Sequence, residues 1–268
     1  MTTDSMLTLI ALALSVASVG LSGWFSVRTQ RLSHKLADER EARLEQQSAI
    51  KAAERVYEPL AQAAAELQSR IFNIVETGWV NLTTRYAGHD GYAEASTAFL
   101  FAHYFGWIEA RRQAVLSSSG EGRRDESVQT LIDGVLKVLR RSQDDSDGFV
   151  FFTTEQRAIG ELMCTWEALG DTGQRIPHVM GYAQFFDRFT NDEAFRKWFV
   201  PVDHGMARMS EGDHRRLAHI QHALVALIDE LDPRRRYTAG YALEPIVIGD
   251  ESDEAGFSAG EVSTGSTR

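Results

Sequence analysis

The chain has 268 residues and a mass of 29.9 kDa, is 43% hydrophobic, and carries 28 basic against 38 acidic side chains for a formal net charge of −10. There is enough apolar material for a real core, which excludes a disordered chain, and a pI near 5.3 excludes the cationic footprint that displaces counterions from DNA or RNA. The lone Cys164 has no internal disulfide partner and five prolines leave long stretches free to be helical, so composition points to a reducing compartment and an α-rich fold.

Residues 1–5 read as a short extracytoplasmic N-terminus. Met6 to Val27 then runs 22 residues without a charge, MLTLIALALSVASVGLSGWFSV. At about 1.5 Å per residue this run spans a bilayer's hydrocarbon layer of about 30 Å, and it predicts one transmembrane helix. The acidic Asp4 ahead of it and the lack of a small-x-small exit favour a retained signal-anchor over a cleaved signal peptide. Arg28, Arg31 and Lys35 follow the span at once and nothing basic precedes it. The positive-inside rule therefore puts the N-terminus outside and the bulk of the chain in the cytoplasm, with Trp24 at the inner interface of the cell membrane.

Residues 28–77 are rich in Ala, Glu, Gln, Arg and Leu, which predicts a long juxtamembrane helix, coiled-coil-like and bent near Pro59. Counting in sevens sets Leu36, Ile50, Tyr57, Ala64 and Ile71 at one seam position, and Leu32, Ala53, Leu60, Leu67 and Ile74 at the position three residues on. Glu39, Arg43 and Gln46 interrupt the seam. Two arrangements satisfy this pattern: a parallel homodimer paired through Leu32, Leu36, Ile50 and Tyr57, or a helix whose part from Ile50 to Ile74 packs inside its own chain.

Residues 78–236 predict a cytoplasmic α-helical bundle. Ala93 to Leu116 is apolar nearly all round, which marks a central helix, and Glu126 to Arg141 has the three-and-four spacing of an amphipathic one. Thr153 with Gln156 reads as a capping box opening a helix that runs through Trp166 to Gly170. Thr190 with Glu193 reads as a second box, ahead of a run that Pro201 ends. Phe149 to Phe152 reads as an extended piece, and Ser210 to Leu231 as the last helix. Phe99 to Trp107 and the aromatics from Phe185 to Phe199 have the spacing of core residues. Residues 237–248 hold enough apolar side chains to dock as an extended arm, whereas 249–268 read as a disordered acidic tail. The six acids and single arginine from Glu244 onward carry half of the net charge.

No phosphate-binding glycine loop, nucleophile elbow, His-Glu-x-x-His or Cys-x-x-Cys motif is present. The densest polar cluster, SEGDHRRLAHIQH, offers Glu211, His214, His219 and His222 as metal candidates, since His219 and His222 share a helix face. A di-iron bundle requires the Glu-x-x-His pair on each of two helices, and it occurs here once, so histidines on a solvated helix face are the default and no cofactor is expected. His103 and Glu109 lie in an apolar run that raises a carboxyl pKa, but the structural reading pairs Glu109 with Arg112 or Arg157. The arginine doublets read as solvated faces. Three functions compete: a membrane-tethered interaction or scaffold module holding a cytoplasmic protein partner, a signal transducer working through the helix seam, and a metal or small-ligand enzyme built on the histidines. The absence of a catalytic constellation ranks the module first.

Overall fold

A computed structural model describes residues 55–80, 91–116, 123–141, 148–168, 175–209 and 214–248, with isolated helical positions at Lys35, Ala37, Arg40, Ala42 and Arg43. The described residues from 55 onward belong to one compact unit, and the elements below are parts of it. The predicted span, Trp24, Arg28, Arg31, Leu32, Leu36, Ile50, Glu211 and the acidic tail lie outside the described residues. Among the described residues no helix is long and apolar enough to cross a membrane.

The described unit is mostly helical, as its composition requires. Helix α1 (55–76) is buried nearly all round, with Leu60, Ala61, Ala64, Ala65 and Leu67 fully covered. Its small alanines let neighbouring helices come close. Gly78 closes it in the left-handed conformation, φ 64°, that a side chain disfavours after a helix. Tyr57, Leu60, Ala64, Leu67, Ile71 and Ile74 all join the unit's own core. From Tyr57 to Ile74 the seam positions therefore pack within their own chain, with Tyr57 among the core residues.

Helix α2 (Tyr92–Leu116) is the second central element, as its all-round apolarity predicts. It packs on α4 (Thr153–Met163), and also meets α5 (Tyr182–Asn191) and α7 (Val200–Arg208). Glycine sets the α2–α4 approach: a Cβ added at Gly160 would stand 2.9 Å from the Phe105 carbonyl oxygen and 3.1 Å from Glu109 Cβ. Helix α3 (Arg123–Arg140) packs mainly on α8 (Arg215–Leu231). Between α5 and α7 lie the short α6 (Glu193–Arg196) and a 3-10 turn, Lys197–Phe199. The predicted aromatic core is present, with Phe185 edge-on to Phe99, Phe195 and Phe199 at centroid distances of 5.5, 5.4 and 5.2 Å.

Four local readings of the sequence are corrected. The helix from Thr153 stops at Met163, and the chain continues as β1 (Cys164–Ala168), paired antiparallel with β2 (Arg175–Val179) in the register Cys164 to Val179. Trp166 had fallen on helical spacing by coincidence. The real signal is a pair of short β-prone runs, closed where the Met180 amide donates to the Met163 carbonyl at 2.9 Å. At the start of α4 the cap comes from Glu155 alone, whose carboxylate accepts from the Phe152 amide at 2.8 Å. Gln156 is buried and donates to the carbonyls of Phe151 and Leu136. Asp192, not Thr190, caps α6 by accepting from the Phe195 amide at 3.0 Å. Pro201 opens α7 instead of ending a helix, since a first-turn proline lacks only an amide that had no intrahelical partner.

Two tight joints fix the connections. Phe149 holds φ at 57°, a strained value for a side chain that size, and its amide donates to the Pro201 carbonyl at 3.0 Å. Its ring lies against Gly205, where an added Cβ would come within 2.4 Å. At the end of α8, buried Asp232 gathers the amides of Arg236, Tyr237 and Thr238 and the Thr238 hydroxyl at 2.8 to 3.0 Å. Residues 242–248 then run without regular secondary structure. Buried Gln68 donates to the Ala242 carbonyl and Gln221 to the Glu244 carbonyl, while Gln221 accepts from the Ile246 amide, so both helices grip this arm.

Candidate functional site

Helices α2, α3 and α4 leave a cleft of about 460 Å³ between them. Its floor is apolar, from Phe105 and Ile108 of α2 and Ile132 and Leu136 of α3, because the inward stripes of these helices face one another there. Its rim carries Arg111, Arg112, Arg157, Glu109, Asp133 and Glu161, three cations against three carboxylates, with Gln129, Gln156, Thr153 and Thr154 beside them. A wider depression of about 580 Å³ lies between Tyr57 and the end of α8, but acids and arginines line most of it. The first cleft pairs an apolar floor with convergent polar groups, the usual make-up of a binding site.

The rim charges are held in place. Glu109 is buried and accepts from Arg112 Nε at 2.8 Å and Nη2 at 2.6 Å, from Gln113 at 2.6 Å, and faces Arg157 Nε at 3.4 Å. Burial pushes the carboxyl pKa up, but the bonds from Arg112 and Gln113 and the two guanidinium charges outweigh it and hold the group below its ordinary value. The pairing of Glu109 with Arg112 and Arg157 expected from the sequence is present, and the alternative of a raised carboxyl is not realised. An ionised, saturated acceptor of this kind orients donors; it is not poised to abstract protons near neutrality.

Arg111 departs from the solvated-face reading of the doublets. It is buried, donates to the Gln129 side chain, and stands 6.0 Å from the Tyr57 ring centroid. Burial lowers its pKa, against the nearby charge of Asp133. Arg216 departs likewise. Its guanidinium donates to the carbonyls of Val138 (3.2 Å), Leu139 (2.8 Å) and Arg141, and so caps the open end of α3.

The candidate histidines are dispersed. His214 stands at the start of α8, His219 is exposed, and His222 bonds the Ile246 carbonyl at 2.8 Å. Among the described residues no group of three or more His, Cys, Asp or Glu side chains is placed to hold a metal ion. His103 accepts from the Trp107 indole at 3.1 Å through Nε2 and stacks on Phe99, while its Nδ1 faces Glu66 across 3.6 Å and makes no hydrogen bond among the described residues. Lys35 is helical and exposed. Sequence reasoning passed over Gln68, Gln129 and Gln221. The available signal at Gln221 was an uncharged polar residue in the middle of an apolar stripe, between Leu217 and Leu224.

Compared with protein-family models, with curated proteins and with solved structures, the chain matches none.

Proposed function

We propose that this chain is a membrane-tethered helical interaction module, which holds a protein partner in the α2–α3–α4 cleft at the cytoplasmic surface. The observation that carries the reading is the apolar floor together with Phe152, 59% exposed, which immediately precedes the lining residues Thr153 and Thr154 in the chain. An exposed aromatic beside an apolar groove with a balanced polar rim suits a segment that buries one or two apolar side chains and hydrogen-bonds along its flanks. The uncharged run 6–27, followed by Arg28, Arg31 and Lys35, supplies the tether and the orientation. Leu32, Leu36 and Ile50 supply a short seam through which two copies pair ahead of the body.

The test places a photocrosslinking residue at Phe152 in the membrane-bound chain, with a second chain labelled at Tyr237, which is 40% exposed beside the other depression. The expected result is one protein adduct at Phe152 that is absent at Tyr237 and is lost when Ile108 is changed to Glu. Equal labelling at both positions would end the proposal.

A further inference from the structure

A second feature lies toward the start of α2, about 12 residues and so roughly 18 Å along the helix from Glu109. Arg70 of α1 donates through Nη1 to Ser96 Oγ at 2.9 Å and Thr97 Oγ1 at 3.0 Å, and its guanidinium carbon sits 3.7 Å over the Trp79 ring. The Ser96 hydroxyl gives its own proton to the Tyr92 carbonyl at 2.6 Å, so toward Arg70 it is an acceptor. Among the described residues no carboxylate pairs with Arg70, which leaves Nε and Nη2 without a protein acceptor. Burial lowers its pKa to about 10, against the opposing influence of Tyr92 and Tyr182, so the group remains a cation at neutral pH. Close by, the Tyr182 hydroxyl is buried and makes no hydrogen bond among the described residues. Its ring is fixed edge-on to Phe99 at 5.2 Å.

A partly desolvated cation held only by neutral hydroxyls and an aromatic face keeps most of its capacity for a charge-assisted, forked interaction. An idle buried hydroxyl beside it is an unused donor. We propose that Arg70 and Tyr182, with the Trp79 face as a wall, form an oxyanion site that takes the phosphate or carboxylate group of a small molecule. This site uses α1, α2 and α5 and is independent of the cleft reading.

The test is calorimetric titration of the full chain in detergent micelles with inorganic phosphate and, separately, benzoate, against chloride at matched ionic strength. Saturable binding in the millimolar range is expected for at least one probe, weakened about tenfold or more by Arg70→Gln and severalfold by Tyr182→Phe. Phosphate alone assigns a phosphoryl ligand, benzoate alone a carboxylate, and both a general oxyanion site. Because the Tyr182 hydroxyl bonds nothing among the described residues, Tyr182→Phe leaves the melting temperature unchanged or higher. This variant therefore carries the test if Arg70→Gln does not fold. Absence of saturable binding of either probe, or equal binding by the chain and by Tyr182→Phe, overturns the proposal.

Discussion

Single residues decide sign here through the space and the partners around them. Gly134 and Gly160 both sit inside helices, where alanine gains up to about 1 kcal/mol over glycine by propensity. A Cβ at Gly134 meets nothing within 4 Å, so Gly134→Ala is expected to raise stability by about 0.5–1 kcal/mol. At Gly160 the same methyl meets the Phe105 backbone, and overpacking of about 1–3 kcal/mol outweighs the gain. Urea melts of the two variants should therefore move in opposite directions, and a parallel shift would show that the α2–α4 contact is loose. Asp232 is decided by its partners. Burial pushes its pKa up, but the amides of Tyr237, Arg236 and Thr238 and the Thr238 hydroxyl prevail and hold it below the ordinary 3.8. A depressed folded-state pKa gives stability that is complete above the unfolded value and lost as pH falls through the folded one. Asp232→Asn is expected to cost about 1–3 kcal/mol near neutral pH. The gap between the two proteins should close as pH falls from about 5 toward 3, and a constant gap would sink this account.

Secondary-structure elements are most legible in the sequence where one local force dominates. The long apolar helices follow from periodicity, whereas the β1–β2 hairpin and the caps turn on which of several nearby groups reaches a free amide, and that depends on chain direction. The arm shows how an element without regular structure is held. Ile246 is buried and its amide is bonded to Gln221, so Gln221→Ala should speed hydrogen exchange at residues 242–248 while α2 and α4 keep their protection. Uniform acceleration across the body would mean that the arm is inseparable from the core. Ile246→Ala is expected to lower stability by about 2 kcal/mol, less than a central core deletion, because an arm at the end of the chain relaxes more easily.

For the whole molecule, the compact unit that starts at residue 52 contains the described core, so a chain beginning at Ala52 should unfold in one cooperative transition. On the proposed function, the full chain should remain in the membrane fraction after an alkaline wash, held by its uncharged run of 22 residues. Release by that wash would remove the tether from the proposed function. The tether, the partner cleft and the oxyanion site are separable: each fails or stands on a different measurement.

The sequence by itself determined the helical class, the central place of α2, the aromatic core and the pairing options of Glu109, because apolar periodicity and charge spacing act over a few neighbouring residues. It also specified the uncharged run ahead of the body. Tertiary structure alone decided that Tyr57 packs inward, that Arg111 is buried in the cleft rim, that Arg216 caps α3, and that Gln68 meets Gln221 across 153 positions. In each case the partner is remote in the chain. A polar side chain's role is then set by whichever free amide, carbonyl or charge folding brings to it, and spacing along one helix carries no record of that.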